Sequence, residues 1–385
     1  MEKQKKKKWG QYFTTNLKLK EVVVKLVKNN PSHLLEPSIG QGDLVLAIQQ
    51  QFPHTTIDMY EIDSSIPLLH GIDRKRVLFQ DFLQTTITTT YKTIVGNPPY
   101  VKHKKGNLYI DFTKKCWELL DQEGELIFIV PSDFFKMTRC SSLLINMLQH
   151  GHFTDIFHPH EEGLFQDASI DVLIYRYCKS QNNNVEKHLF YNGNTRYLHS
   201  HDGVITFEIF PQTKQQNLLQ EVFNVYVGIV SGKDSVFKHD VLGNIKVLVS
   251  NNRHEKFILL NQFPTGNKDV DEHMLSHKKE LLSRRIKKFT ENNWFQWGAL
   301  RNIEIIHQQK GRRCIYVHTL TRNSVVAFQG EVGYFGGSLL MLVPKQDDCD
   351  LDKIVLFLNA HLPPRYTFSG RFKIGHKQLC QTPIL

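Results

Sequence analysis

Between Leu17 and Lys28 the apolar residues Leu19, Val22, Val23, Leu26 and Val27 recur at helical spacing, and Asn30-Pro31 breaks the run, so the pattern predicts an opening amphipathic helix. His33-Leu34-Leu35-Glu36-Pro37 then reads as a buried strand ending at a glycine-containing turn, followed by a helix over Asp43–Gln51 with an acidic residue in its first turn. The alternation continues with a strand at Ile57–Ile62, a short helix at Ser64–His70 and a strand at Val77–Phe79 that ends at Asp81-Phe82. Thr93–Val95 enters Gly96-Asn97-Pro98-Pro99-Tyr100, Leu108–Leu120 is helical, and Glu125–Val130 is a continuous apolar strand stopped by Pro131. Two more strands, Phe153–Phe157 and Ile170–Tyr177, flank a loop containing Glu161-Glu162-Gly163. Strands separated by helices imply an α/β fold with a largely parallel sheet covered on both faces, and such sheets bind ligands at the carboxyl ends of their strands.

The chain has 385 residues, more than one compact core usually holds, so two domains are expected, at 1–180 and 181–385. A net charge of +10 favours a polyanionic partner. Residues up to 180 carry about +2 and the remainder about +8, which places that partner on the second half. The six cysteines are scattered without a C-x-x-C pair, against a zinc knuckle or a disulfide framework and in keeping with a reducing compartment. No apolar run approaches the ~20 residues of a membrane span. The Lys5-Lys6-Lys7-Lys8 run, either a solvated tail or an arm on nucleic-acid phosphates, is followed at once by motif-like sequence rather than an apolar signal core. A soluble, unprocessed cytoplasmic protein without a membrane partner is expected, in a bacterium or the host of a virus.

Four features fall at the strand ends in one order. Glu36-Pro37-Ser38-Ile39-Gly40-Gln41-Gly42-Asp43 places glycines where a backbone could approach a ligand. It lacks the third glycine of a dinucleotide fingerprint and the Gly-Lys-Ser/Thr of a Walker loop, and alone it is equally a plain turn. Glu61 stands roughly 20 residues on, where a carboxylate could accept both hydroxyls of a ribose or simply face solvent. Asp81-Phe82 could accept from an adenine amine and pack on its face. Asn97-Pro98-Pro99-Tyr100 is the sharpest signal. The lone pair of an exocyclic aromatic amine is delocalised into its ring, and two acceptors aimed at its N–H bonds would return density to nitrogen. The Asn97 side-chain oxygen and the Pro98 carbonyl can be those acceptors, with Pro99 rigidifying the corner and the Tyr100 ring stacking on the base; the alternative is a rigid turn after a strand.

With these motifs in order, the chain resembles the gamma-class N6-adenine DNA methyltransferases, with type II modification enzymes as the nearest group. Gln11-Tyr12-Phe13-Thr14-Thr15 stands where that family carries its Tyr/Phe-Thr-Thr/Pro element, and Asn107-Leu108-Tyr109-Ile110-Asp111-Phe112 matches a later family motif. The resemblance implies a class I S-adenosylmethionine-dependent methyltransferase fold, Rossmann-like with a mostly parallel seven-stranded sheet, followed by an α+β target-recognition domain. It implies S-adenosylmethionine as cofactor, with Tyr12, Thr14, Glu36 and Gly40 at its methionine end, Glu61 on the ribose, Asp81 on the adenine amine and Phe112 against the adenine. Ser38, Ile62, Phe82 and Asn97 complete the expected contacts. Tyr177, ending the last strand, is expected to touch a flipped-out target adenine from its edge, beside Tyr100.

The second half is basic and aromatic. Arg284, Arg285, Lys287 and Lys288 lead to Trp294 and Trp297, then Arg301, Arg312 and Arg313, and this interleaving suits double-stranded DNA, with a helix face plus core aromatics as the plainer alternative. Ile354–His361, Phe368-Ser369-Gly370-Arg371-Phe372 and Thr382-Pro383-Ile384-Leu385 resemble the end of target-recognition domains. His158-Pro159-His160-Glu161-Glu162 is poorly spaced for a metal, and none is expected. The implied function is site-specific adenine-N6 methylation of duplex DNA by a monomer, as an orphan methylase or beside a separate cognate endonuclease. An RNA adenine or protein glutamine methyltransferase, and a non-catalytic DNA-recognition subunit, are the competing readings.

Overall fold

The computed structural model describes residues 10–103, 106–137, 139–165, 170–180, 188–208, 211, 217–368 and 371–384, so Lys5–Lys8, Ser369, Gly370 and Leu385 lie outside the described residues. The chain divides into two compact units, Met1–Lys214 and Gln215–Leu385. The division falls well beyond the expected boundary at 180, because strands at 188–208 extend the sheet of the first unit.

In the first unit α1 (Leu17–Leu26) precedes β1 (His33–Glu36), α2 (Asp43–Gln51), β2 (Thr56–Glu61), β3 (Val77–Phe79) and β4 (Tyr91–Gly96). Then come α3 (Leu108–Leu119), β5 (Leu120–Pro131), α4 (Ser141–Gln149), β6 (Gly151–Phe157) and β7 (Val172–Lys179). A further three strands, β8 (His188–Tyr191), β9 (Asn194–His201) and β10 (Val204–Glu208), complete a ten-stranded sheet of order β10-β9-β8-β6-β7-β5-β4-β1-β2-β3. The seven strands from β3 to β6 are parallel except β7, which runs antiparallel between β5 and β6. From β1 the chain moves outward through β2 to β3 and returns to β4 on the other side of β1, so a topological switch point lies between β1 and β4.

Alternation along β5 shows why the sheet is buried twice over. Leu126, Phe128 and Val130 join Tyr109, Phe112 and Cys116 of α3 and Leu143, Leu144 and Met147 of α4 on one face. Ile127 and Ile129 join Leu19 and Val23 of α1 and Leu44, Val45 and Ile48 of α2 on the other. At the amino edge the buried Glu125 carboxylate accepts from the Lys28 and Asn29 amides, the Thr93 hydroxyl and Arg176 Nε at 2.8–3.1 Å. This satisfied ion pair ties the end of α1 to β4, β5 and β7. The short helix expected at Ser64–His70 is absent. Pro67 interrupts the segment, the Asp63 carboxylate takes the Ser65 amide at 2.9 Å and its hydroxyl at 2.6 Å, and the one helical turn here is at Arg74–Arg76.

The second unit is α+β. Strands β11 (Phe223–Val227), β14 (Arg313–His318), β15 (Ala327–Glu331) and β16 (Leu339–Pro344) form an antiparallel sheet of order β11-β16-β14-β15. A hairpin of β12 (Ile245–Ser250) and β13 (Arg253–Phe257) forms a separate two-stranded sheet that shares a core with it, and α5 (Lys268–Ser276) follows. Helix α6 (Leu351–Tyr366) buries Leu358, Leu362 and Tyr366 with Ile315, Val317, Leu340 and Leu342 of that sheet. Among the described residues no helix is long and apolar enough to cross a membrane.

Candidate active site

The carboxyl ends of β1 to β4 open into a cavity of about 270 Å³. Its walls follow from the parallel sheet, since each strand delivers the loop after it to the same edge. After β1, Gly40 adopts φ +57°, a backbone conformation that disfavours a side chain, and its amide donates to Glu61 Oε2 at 3.0 Å. Glu61 ends β2, and its other oxygen accepts the Asp63 amide at 2.9 Å. Each Glu61 oxygen thereby retains acceptor capacity toward the cavity, and burial raises its carboxyl above the ordinary range. Asp81, after β3, accepts the Leu83 amide through Oδ1 at 2.9 Å. Phe82 and Phe112 are stacked with centroids 5.3 Å apart and form an apolar wall.

Asn97 follows β4 and is held from both sides. Its Nδ2 donates to the Tyr12 carbonyl at 2.8 Å and the Thr14 hydroxyl at 3.0 Å, which orients Oδ1 away from them. The segment before α1 can lie so close because Gly10 has no side chain; a Cβ there would meet the Val101 side chain at 2.4 Å. Oδ1 accepts the Tyr100 hydroxyl at 2.6 Å, and the Ile129 carbonyl stands 3.2 Å from that hydroxyl as a second acceptor. The Tyr100 ring is stacked on Tyr12 with centroids 5.5 Å apart, and burial raises its phenol well above the usual value. Beneath this corner the Glu36 carboxylate is 1% exposed and accepts the Ser38 amide at 3.0 Å. Among the described residues no cationic side chain lies within ion-pair reach of it, and burial, with the nearby Glu61 charge adding to it, pushes its pKa up to about 8 despite the Ser38 amide.

Of the expected cofactor residues, Tyr12, Ser38, Gly40, Glu61, Ile62, Asp81, Phe82, Asn97 and Phe112 line this cavity, together with Pro99 of the proline corner. Thr14 and Glu36 line a smaller neighbouring recess that shares Tyr12, Ser38, Gly40 and Asn97 with it.

Tyr177 is elsewhere. It is fully buried in the core, donating to the Met147 carbonyl at 2.7 Å and accepting from Trp117 Nε1 at 3.2 Å. Strand β7 runs antiparallel to β5, so its start at Val172, opposite Pro131, lies at the carboxyl edge, while Tyr177 sits opposite Leu126 deep in the sheet. Phe165, in the loop ahead of β7, does meet the corner, with its centroid 6.3 Å from Tyr100 and 6.0 Å from Tyr12, and Tyr109 of α3 lies 6.0 Å from Tyr100. The only signal for Phe165 in the sequence was its place in the loop between the last two strands.

The expected DNA-binding set also divides. Arg284 is buried, donating to the carbonyls of Leu281, Ser231, Trp294 and Gln296, and it packs on Phe289 with a lowered pKa of about 10 from desolvation. Trp294 and Trp297 are core residues, the latter donating to the Ile258 carbonyl at 2.8 Å. These three hold a fold together and are not presented to a partner. Arg312 is paired with Asp347, and Arg313 bonds Gln329 at 2.7 Å with Asp352 at 4.0 Å, whereas Arg285, Lys287, Lys288 and Arg301 are exposed. His158, from the acidic loop, is buried between Asp171 at 2.9 Å and the Tyr191 hydroxyl at 2.8 Å. Among the described residues no cluster could hold a metal ion.

Residues 5–165 match the Eco57I restriction-modification methylase family. The chain is 31% identical over 205 residues to the type II methyltransferase M.HincII of Haemophilus influenzae, an alignment covering 47% of this chain and 39% of that protein. It is 31% identical over 153 residues to the modification methylase CviBIII of Paramecium bursaria Chlorella virus NC1A, covering 34% of this chain and 40% of the other. The match thus spans well under half the length of these relatives. Among solved structures, the type IIL restriction-modification enzyme MmeI in complex with DNA shares the fold, with a TM-score of 0.60 and 10% identity over 94% of this chain and 64% of that one. Over residues 5–165 the chain is thus similar in sequence to restriction-modification methylases, and its fold is shared with a restriction-modification enzyme.

Proposed function

We propose that this chain transfers a methyl group from S-adenosylmethionine to the N6 of an adenine flipped out of duplex DNA at a specific short sequence. The observation that carries the proposal is Asn97, which lines the cavity with its amide nitrogen locked by Tyr12 and Thr14 and its oxygen turned to the Tyr100 hydroxyl.

The residues present suit the cofactor. Acceptors on Glu61 and Asp81 match ribose hydroxyls and an adenine amine, the Phe82–Phe112 wall matches a flat ring, and the uncompensated Glu36 carboxylate matches the cationic end. When bound, the cofactor supplies an electrophilic methyl on a sulfonium. Target N6 is otherwise paired and shielded in the helix, so the base must leave the stack at a cost of a few kcal/mol. Once in the pocket, its amine would displace the Tyr100 hydroxyl from Asn97 Oδ1, leaving that hydroxyl to the Ile129 carbonyl. Asn97 Oδ1 and the Pro98 carbonyl then accept the two N–H bonds and restore nucleophilic density to nitrogen. Asn97 is neutral, so it acts by polarising and orienting the amine, and the proton leaves after transfer.

An Asn97→Ala protein that folds and still binds cofactor tests this role. Loss of methyl transfer by about 10²–10³ is expected from removal of such an acceptor. Near-normal rate would refute the assignment.

A further inference from the structure

In the second unit a groove of about 670 Å³ lies between the β12–β13 hairpin on one side and Lys310 with the Glu331–Tyr334 turn on the other. Lys246 and Lys256 are directly opposite one another in the hairpin register, and both are exposed. Like charges placed opposite each other across a strand pair destabilise it. Among the described residues neither has an acidic partner within ion-pair distance, and Lys310 across the groove has none either. The groove also holds two carboxylates. Glu255 is engaged by Lys238 at 2.8 Å and Arg253 at 2.7 Å, whereas Glu331 is exposed and has no ion pair among the described residues, so one negative charge stands against three lysines.

We propose that this groove is a DNA-backbone contact surface, in which Lys246, Lys256 and Lys310 bind phosphates of the duplex. Resting on the methyltransferase reading for the choice of DNA over other polyanions, the assignment accounts for a repulsive lysine pair that has no acidic partner among the described residues. An anion bridging both ammonium groups turns the repulsion into binding. Tyr334, whose hydroxyl is fixed by His307 Nε2 at 2.8 Å, and His254 and Asn244 line the same groove and offer neutral contacts to sugars or base edges. The groove thus replaces Arg284, Trp294 and Trp297 as the place where the excess positive charge of this half is used.

The test is the full chain carrying Lys246→Ala and Lys256→Ala together, compared with wild type for binding of a short labelled duplex between about 50 and 200 mM salt. Binding should weaken by roughly tenfold or more, and the slope of log affinity against log salt should fall by about 2, one for each lost phosphate contact. Lys246→Arg with Lys256→Arg should restore both. In methyl transfer to unmethylated genomic DNA, KM should rise while kcat stays unchanged. The melting temperature should hold or rise, since the repulsion is removed. Unchanged affinity and slope in the alanine variant overturn the groove and leave the methyltransferase reading intact. Absence of methyl transfer to DNA by wild type would overturn that reading, and the duplex-binding arm would still decide on the groove.

Discussion

Replacing Glu36 by glutamine should change how the first unit responds to pH, because this carboxyl is buried and has no cationic partner among the described residues. Its pKa rises from 4.5 to about 8, chiefly by desolvation. The folded state therefore holds the proton more tightly than the unfolded chain. Stability from this group is full below pH 4.5 and is lost as pH rises through about 8, at ~1.4 kcal/mol per unit in between. Between pH 6 and 8 the loss is about 2 kcal/mol, and burial of Glu61 acts in the same direction. Glutamine keeps the acceptor for the Ser38 amide and cannot ionise. Urea unfolding of wild type and Glu36→Gln at the two pH values should show the variant gaining about 2 kcal/mol on wild type from pH 6 to pH 8. A cationic cofactor favours the charged carboxylate, so its affinity should also rise with pH over this window in wild type and stay flat in the variant. A stability difference that is the same at both pH values would refute the assignment of the shift to Glu36.

Tyr100→Phe keeps the ring on Tyr12 and removes the hydroxyl that occupies Asn97 Oδ1, so kcat should stay within about tenfold of wild type while Asn97→Ala falls by 10² or more, roughly. Equal losses in steady-state assays would contradict the view that the ring and not the hydroxyl serves the base. Tyr177→Phe leaves Trp117 Nε1 without its buried partner and the Met147 carbonyl with the His150 amide alone, costing about 1–3 kcal/mol in urea unfolding with kcat and KM unchanged. A raised KM for DNA at unchanged stability would return Tyr177 to the base. Arg284→Ala removes a donor from four carbonyls, of which Ser231 keeps the Gly298 amide, and should destabilise the second unit by about 2–4 kcal/mol without altering the salt slope of DNA binding. A shallower slope would show that its charge does face phosphates.

The edge that carries the candidate site is legible in the sequence because its residues sit immediately after strands whose parallel direction follows from the intervening helices. Glu36, Glu61, Asp81 and Asn97 needed only that inference to be placed together, and the structure puts all four at the ends of adjacent strands. Strand direction itself has no sequence period. Pattern alone therefore places Tyr177, at the end of its strand, in the site, whereas the antiparallel run of β7 brings the start of the strand to that edge, and no sequence period marks Phe165. The strands after residue 180 were hidden by polar residues such as those of Asn194–His201, which make an outer hairpin. Arg284 was read by its charge, whereas its place among four carbonyls and Phe289 is set by contacts between segments far apart in sequence.

The most direct test is to incubate the protein with S-adenosylmethionine carrying a labelled methyl group and with unmethylated duplex DNA, RNA or protein, then digest the products to their monomers. The account predicts label in DNA, recovered as N6-methyladenine. Label confined to RNA or protein, or to another position of the DNA, would contradict it.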